Sequence, residues 1–216
     1  MQVHLTNRRS IRKLYYSLGA CSLAPHIVAR EAGIAIDLVK VDLAAHRTEK
    51  GEDYFAINPR GYVPALEIDG ELHTEVVALV QYFAEQAPQS NLLPPAGTKE
   101  RFRVNQWLAF ISSELHKTFS PWLWHAETAE STKQAAREKI ATRFAELDRH
   151  LAARPYLSGE TFTVADAYAF TIVNWANFLK IDLKPYANLS TFMARVAARP
   201  KVREALKAER LVAAAA

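Results

Sequence analysis

Residues 13–26 decide how the fold begins; they read KLYYSLGACSLAPH and contain the one cysteine of the chain. Residues 14–16 predict a short aromatic strand, and residues 18–19 predict a turn. From Cys21 onward, apolar residues recur at three- and four-residue spacing, which is typical of a helix. Cys21 and Ser22 are therefore expected where a helix begins, and the unpaired N–H groups there would stabilise a thiolate.

The single cysteine also limits what the chain can be. A lone cysteine is most often a buried apolar residue, so Cys21 by itself favours packing over chemistry. One cysteine excludes an intrachain disulfide and a cysteine-based zinc site, and we expect no metal. This cysteine usage suits a reducing compartment, and we expect a cytoplasmic protein.

Length and charge indicate a globular protein of average composition. The 216 residues suffice for one large domain or two small ones, each with its own core. The formal charge is only +4, and no basic run is interleaved with aromatic residues, so no nucleic-acid partner is expected. We find neither a signal peptide nor an apolar run long enough to span a membrane, and we expect no membrane association.

The first part of the chain predicts a mixed four-stranded sheet in the order β-α-β, then β-β-α. Residues 36–43 alternate and are rich in β-branched side chains, which favours a second strand. Residues 44–54 are polar and predict a mobile or irregularly helical region. Residues 65–68 and 71–74 flank an Asp-Gly pair, which is a strong signal for a hairpin.

Downstream of the hairpin the chain predicts helices only. Thr74 is expected to cap a helix over residues 75–87, and Thr163 and Asp166 fit a structural capping box at the start of a buried helix. Further helices are predicted at 99–119, with Phe102, Trp107, Phe110, Ile111 and Leu115 on its apolar side, and at 132–153, 163–178, 189–198 and 201–208. The predicted division is an N-terminal extension at 1–12, a first domain at 13–87, a linker at 88–98 and a helical domain at 99–216.

Five motifs in order along the chain resemble those of a bacterial beta-class glutathione S-transferase. They are Tyr-Tyr-Ser-x-Gly-Ala-Cys-Ser at 15–22, Asn-Pro-x-Gly-x-Val-Pro at 58–64, Thr-Glu at 74–75, Glu-Leu-His-Lys at 114–117 and Thr-Val-Ala-Asp-Ala-Tyr at 163–168. The resemblance implies an α/β plus all-α protein, with a thioredoxin-like N-terminal domain (βαβ-ββα) followed by an all-helical C-terminal domain. It also implies a homodimer, a role in detoxification and glutathione as cosubstrate.

The same resemblance implies catalytic roles for three residues. Cys21 matches the cysteine that lies against the glutathione sulfur and can form a mixed disulfide with it. Ser22 offers a hydroxyl that donates to the glutathione thiolate or caps the helix, and the two roles are compatible. His116 is expected near the thiol or the glycyl carboxylate of glutathione, and the alternative is a partner of the helix dipole.

Glutathione contacts are implied for Tyr16, Cys21, His46, Val63, Pro64, Glu75, Val76, His116 and Lys117. Val63-Pro64 resembles the cis-proline junction whose backbone pairs with the cysteinyl unit as an added strand would. Glu75 and the N–H of Val76 match the helix start that holds the γ-glutamyl end, although Glu75 alone suits the helix dipole equally well. Tyr16 is expected mainly to pack in the core.

Four positions depart from the family pattern. Leu18 replaces a proline, Val76 a small residue, and Ala109 an asparagine that commonly reaches toward glutathione. His46 stands where a lysine often binds the glycyl carboxylate, with Arg47 beside it as a possible substitute. A branched Val76 is expected to narrow the γ-glutamyl pocket, so the four departures predict weaker glutathione binding than is typical of the family.

The leading hypothesis is transfer of the glutathione thiolate to a small hydrophobic electrophile in a cleft between the domains. Trp122, Trp124 and Phe119 follow His116 and either wall that cleft or pack in the core. A second hypothesis is monothiol disulfide reduction through Cys21, resolved by a second glutathione. A third, supported by the four departures, is a glutathione-transferase-like protein that binds ligands with weak or no catalysis.

Overall fold

The computed structural model describes residues 12–212 of the chain. The predicted N-terminal extension lies outside the described residues except for Arg12, which begins the first strand. The strands are β1 Arg12–Tyr16, β2 Asp37–Asp42, β3 Arg47–Thr48, β4 Ala65–Ile68 and β5 Glu71–Thr74. The first helices are α1 Leu23–Glu31, α2 Tyr54–Ile57 and α3 Val76–Glu85.

In the rest of the described chain the regular elements are helices, as the sequence predicts. They are α4 Lys99–Phe110, a π-helical segment Ile111–His116, α5 Lys117–Phe119, α6 Glu130–Leu151, α7 Val164–Val173, α8 Trp175–Phe178, α9 Ala187–Ala197 and α10 Pro200–Ala208. Within residues 12–212, no helix is long and apolar enough to cross a membrane. The thioredoxin-like sheet followed by helices confirms the predicted fold class.

The sheet has five strands in the order β3-β2-β1-β4-β5, one more than the sequence predicts. Strand β1 runs parallel to β2 and antiparallel to β4. The additional strand β3 lies in the polar region 44–54, where its two residues pair with the end of β2. The β4–β5 hairpin turns at Asp69 and Gly70, which have φ of +49° and +92°, as the Asp-Gly signal requires.

Two local predictions about helices are corrected and one is confirmed. Helix α3 begins after Glu75 rather than after Thr74, because Thr74 remains paired with Ala65 in the sheet. Phe102, expected on the apolar side of α4, is 67% exposed. The capping box of Thr163 and Asp166 forms as predicted: the Thr163 N–H donates to the Asp166 carboxylate over 2.7 Å.

The larger apolar cluster of the described residues includes side chains of both halves of the chain, and a smaller one lies around Tyr15, Val41 and Tyr54 in the first half. Helix α1 is apolar on nearly all sides, with Leu23, Ile27 and Val28 fully buried. A helix of this kind must be covered all round, and α1 packs against α3 as well as α7 and α10. The domain boundary at residues 88–98 stays a prediction. The packing of α1 joins the turn before it directly to the helical half.

Candidate active site

The Cys21 thiol lies against the backbone of the 58–64 motif. Its Sγ donates a hydrogen bond of 3.1 Å to the carbonyl oxygen of Val63. Burial raises the pKa of Cys21 to about 12, and the positive charge of Lys117 offsets this only in part. The expectation of a thiolate stabilised by the helix start is therefore wrong for the ligand-free protein: Cys21 precedes the N-cap residue Ser22, and the loss of solvation outweighs the helix dipole.

The Ser22 hydroxyl is used within the turn that leads to the helix. It donates to the carbonyl oxygen of Ser17 over 3.3 Å and accepts from the Ser17 N–H over 3.2 Å. The side chain of Ser22 makes no capping bond to α1, and the residue has no exposed surface. The predicted capping role is wrong, and a ligand reaches this hydroxyl only if the turn opens.

Side chains of the helical half hold the turn on both sides of Gly19. The indole Nε1 of Trp175 donates to the Gly19 carbonyl over 2.8 Å, and Glu209 accepts from the Gly19 N–H over 3.0 Å. The other Glu209 oxygen lies 2.8 Å from Nδ1 of His26, with both side chains fully buried. Arg30 donates to Nε2 of His26, so this ring nitrogen accepts and carries no proton. Nδ1 therefore carries the ring proton and donates the hydrogen bond to Glu209.

The Val63-Pro64 peptide bond is cis, as the motif implies. Two side chains hold the carbonyl of Tyr62, the residue before Val63. The Tyr54 hydroxyl and the Asn58 amide donate hydrogen bonds to it over 2.7 and 2.8 Å. This arrangement presents the Val63 carbonyl to the Cys21 thiol.

Glu75 has a backbone conformation that is rare for a residue other than glycine. Its φ is +74° at the N-cap of α3, which puts the carboxylate at the surface, 3.3 Å from Arg60. Strained backbone of this kind occurs at several described positions, Lys180 among them, and is enriched at functional sites. Val76 is only 5% exposed and packs in the core, and its N–H remains at the helix start. The narrowing of the pocket by its side chain stays a prediction.

His116 ends the π-helical segment, a feature that is frequent at functional sites. Its Nδ1 lies 2.6 Å from the Tyr168 hydroxyl, and its ring meets the edge of Trp175 with centroids 5.1 Å apart. Burial, and then the positive charge of Lys117, lower the pKa of His116 to about 4. The alternative role, a positive charge at a helix C-terminus, does not fit, because a neutral ring carries no charge and the helix continues beyond His116 into α5.

His46 and Tyr16 occupy different environments. The His46 ring stacks on Phe55 with centroids 4.2 Å apart, and among residues 12–212 its buried Nδ1 has no hydrogen-bond partner. Gly61 approaches closely, since a Cβ there would lie 3.0 Å from the His46 ring. Tyr16 is buried, its ring faces His26 at 6.4 Å, and burial raises its pKa, which favours a packing role.

An open cleft lies between Tyr62 and the segment after α5. Its volume is about 550 Å³, and its other lining residues are Pro121, Trp122, His125, Glu127, Thr128, Ala129 and Thr132. Trp124 instead packs against Trp175, and Phe119 is fully buried. Of the three aromatic residues expected at the cleft, only Trp122 lines it. Among the described residues, no group of three or more His, Cys, Asp or Glu side chains is placed to hold a metal ion.

Comparison with protein families identifies both halves of the chain. The model for "Glutathione S-transferase, N-terminal domain" matches residues 19–86, and that for "Glutathione S-transferase, C-terminal domain" matches residues 110–200. The chain belongs to the glutathione S-transferase family.

Individual relatives confirm the resemblance to the beta class. Glutathione S-transferase GstA of Escherichia coli O157:H7 is 44% identical over 92% of this chain and 99% of its own length. The beta-class glutathione S-transferase of Sphingomonas chungbukensis is 45% identical with a TM-score of 0.88, covering 93% of this chain and all of its own. A sphingomonad glutathione S-transferase, solved in complex with glutathione, is 45% identical with a TM-score of 0.87 and the same coverage.

The departures of this transferase from the family pattern have different structural weights. Leu18 lies exposed in the turn before Cys21, and Ala109 is exposed on α4, where its carbonyl accepts from Ser113 over 3.0 Å. His46 supplies a ring nitrogen without a partner among the described residues in place of an ammonium group. Sequence reasoning missed Gly19 and Trp175 as parts of the site: the 114–117 motif pointed to a helical contribution at His116 and Lys117, but no motif includes Trp175.

Proposed function

We propose that the chain binds glutathione with its thiol beside Cys21 and transfers it to a small hydrophobic electrophile. The observation that carries the proposal is the electrostatic setting of one sulfur. The negative charge of Glu75 raises the pKa of the Cys21 thiol, and the positive charge of Lys117 lowers it. A carboxylate of the sheet half and a cation of the helical half are therefore both within electrostatic reach of the same atom.

These groups complement the two ends of glutathione. The exposed Glu75 carboxylate suits the ammonium group of the γ-glutamyl end, and the N–H of Val76 suits its carboxylate. The Val63 backbone suits the cysteinyl unit as an added strand would. Lys117 suits the glycyl carboxylate, and His46, whose Nδ1 has no partner among the described residues, is the second candidate for that contact. The glutathione complex of the related sphingomonad enzyme supports this fit.

In the proposed reaction the glutathione sulfur is the nucleophile and Cys21 is its neighbour. The glutathione thiol loses its proton to solvent, and the thiolate forms a bond to an electrophilic carbon while the leaving group departs with its electron pair. Cys21 remains a protonated thiol at neutral pH and so offers a weak S–H donor. The same protonation makes disulfide exchange through Cys21 slow, which favours conjugation over monothiol reduction.

The cleft of about 550 Å³ beside Tyr62 is proposed to receive the electrophile. This volume lies within the range of small-molecule sites, and Tyr62 directly precedes the residue that contacts the Cys21 thiol. Trp122 supplies an apolar wall from the helical half. A Trp122→Ala variant should raise KM for an aromatic electrophile and leave KM for glutathione unchanged.

The binding proposal is tested by titration calorimetry with glutathione in the wild type, Glu75→Gln and Glu71→Gln. Glu71 is a matched control, since its exposed carboxylate lies on β5, which ends directly before Glu75, and within residues 12–212 its ion pair is with His73 at 3.9 Å. We expect Glu75→Gln alone to lose affinity. No heat with millimolar glutathione in the folded wild type would overturn the proposal, and binding without turnover of a chlorodinitrobenzene would favour the ligand-binding alternative.

We also propose that the chain forms a homodimer in the cytoplasm, as the family resemblance implies. Light scattering on the purified protein tests the assembly: a mass near twice the 24.2 kDa of one chain supports it. A monomer that conjugates glutathione would remove the dimer from the proposal and leave the chemistry in place.

A further inference from the structure

The carboxylate of Glu114 is held by helix α6. Glu114 lies inside the π-helical segment, and its Oε2 accepts from Nε and Nη2 of Arg143 over 3.0 and 2.7 Å. Lys139, one turn earlier on α6, adds an ion pair of 3.2 Å to the same oxygen. Two cations of one helix therefore share a single carboxylate, and such a network is less weakened by water than an isolated surface pair.

Further contacts keep the guanidinium of Arg143 in this place. Its Nη1 donates to Glu146 over 3.1 Å, and its Cζ lies 5.9 Å from the ring centroid of Phe110 at the end of α4. A planar guanidinium with fixed donors loses less conformational freedom per hydrogen bond than an ammonium group does. Arg143 is therefore the better anchored of the two cations on Glu114.

The spacing of the 114–117 motif offers Glu114 a different partner. Lys117 follows it by three positions, and opposite charges at this spacing in a helix attract each other. Within residues 12–212, however, the ion pairs of Glu114 are with Arg143 and Lys139, and Lys117 forms none. The carboxylate is thus bound by a distant helix, although a cation lies nearby in its own segment.

The charge of Lys117 acts on the active site instead. It lowers the pKa of the Cys21 thiol, where the charge of Glu75 has the opposite effect, and it lowers the pKa of the adjacent His116 ring. An ion pair between Lys117 and Glu114 would place a negative charge beside this positive one. At Cys21 the two charges would largely cancel, because a pair of opposite charges has a weaker field than a single charge at the same distance.

We propose that Arg143, assisted by Lys139, is a positioning residue that occupies the Glu114 carboxylate and so leaves the positive charge of Lys117 unpaired for the active site. The part of this proposal that concerns Cys21 holds for the ligand-free protein. The part that concerns a bound glutathione carboxylate rests on the proposed function.

The proposal is tested by the rate of alkylation of Cys21 by iodoacetamide in ligand-free protein, followed from pH 7 to 10. A double-mutant cycle combines Lys117→Ala with Lys139→Gln/Arg143→Gln, the second of which frees the Glu114 carboxylate. We expect each to raise the thiol pKa and to slow alkylation at pH 8 by about threefold, and the combined variant to be no slower than either. Additive slowing would overturn the proposal, and so would the wild-type rate in Lys139→Gln/Arg143→Gln.

A further variant separates occupation of the carboxylate from loss of a structural contact. Glu114→Gln breaks the same ion pairs but leaves no carboxylate to pair with Lys117, so alkylation should be at least as fast as in the wild type. Slower alkylation in Glu114→Gln would overturn the proposal even if Lys139→Gln/Arg143→Gln does not fold.

The matched control for net charge is Arg137→Gln/Arg149→Gln. It removes two exposed cations from the same helix, and in the described part of the chain neither of them forms an ion pair with Glu114. We expect the wild-type alkylation rate in this variant. A slowing equal to that of Lys139→Gln/Arg143→Gln would indicate a general effect of charge and would overturn the proposal.

Glutathione titrations test the part that rests on the proposed function. Lys139→Gln/Arg143→Gln should weaken binding by about threefold, and Lys117→Ala should add no further loss in that background. Unaltered affinity would overturn the role of Arg143 in glutathione binding. If glutathione does not bind the wild type at all, the proposed function fails, while the alkylation rates of ligand-free protein still decide the role of Arg143 at Cys21.

Discussion

The indole Nε1–H of Trp175 donates a hydrogen bond of 2.8 Å to the carbonyl oxygen of Gly19, 156 positions earlier in the chain. On the other side of the same residue, the Glu209 carboxylate accepts the Gly19 N–H at 3.0 Å. The turn directly before Cys21 is therefore held by the helical half. Stability of the fold and geometry of the site depend on the same contacts.

Glu209→Gln should destabilise the protein by about 2 kcal/mol, because the amide can accept at only one of the two positions where the carboxylate accepts. At the other position the amide NH₂, which is a donor, would face the N–H donor of Gly19 or of His26, and no solvent is present there to separate the two donors. Urea unfolding measures the change. The control Glu204→Gln alters a partly exposed carboxylate paired with Lys201 and should cost less than about 1 kcal/mol; equal costs would refute the role of the buried bonds.

Glu75→Gly should stabilise the fold by about 1 kcal/mol, because glycine adopts the positive φ of this position without strain. The same change should weaken glutathione binding, since the carboxylate is lost. Lys180→Gly is the matched control: its φ is +54°, it is exposed, and it should give a similar gain without affecting binding. Unfolding curves and calorimetry together check this, and unaltered glutathione affinity in Glu75→Gly would contradict it.

Alkylation of Cys21 by iodoacetamide should be slow at pH 7 and should rise about tenfold per pH unit up to pH 10, because the thiolate is the reacting form. This follows from the pKa of about 12 that burial imposes. Lys117→Ala should slow the reaction further, since it removes a positive charge that lowers this pKa, whereas Lys184→Ala should not. A plateau in rate between pH 6 and 8 would show a low thiol pKa and exclude this account.

Acid should destabilise the folded protein through His116. Its pKa falls from the usual 6.5 to about 4 on folding, so between these values the unfolded chain binds more protons and unfolding is favoured as pH falls. The loss reaches about 3 kcal/mol at pH 4. His116→Asn should flatten the fall in unfolding free energy between pH 6.5 and 4, while His73→Asn, at an exposed position, should leave it unchanged. An equally steep fall in both variants would count against His116.

Several features of the fold were predictable because the signals that specify them are local. The aromatic strand and turn before α1, the Asp69-Gly70 hairpin and the capping box of Thr163 and Asp166 each depend on residues within a few positions of one another. The motif at 58–64 likewise anticipated the cis bond before Pro64. Short-range preferences of this kind act before the chain is folded.

Local signals of this kind also give a wrong prediction for the protonation of the Cys21 thiol. A helix start predicts a stabilised thiolate, but the thiol of the partly buried Cys21 donates to the Val63 carbonyl, and loss of hydration is the largest effect on its pKa. Ser22 was expected at the ligand or on the helix, and the turn uses its hydroxyl instead. No pattern in the sequence reports how much water a side chain retains.

Local spacing and motif chemistry therefore specify the order of the main strands and helices, the family and the residues to examine, but not the short strand β3. Only the tertiary structure decided the protonation of Cys21 and His116, the contact of Trp175 and Glu209 with Gly19, and the partnership of Tyr168 with His116. Those properties arise from burial and from contacts between residues more than 50 positions apart. They exist only once the two halves of the chain pack against each other.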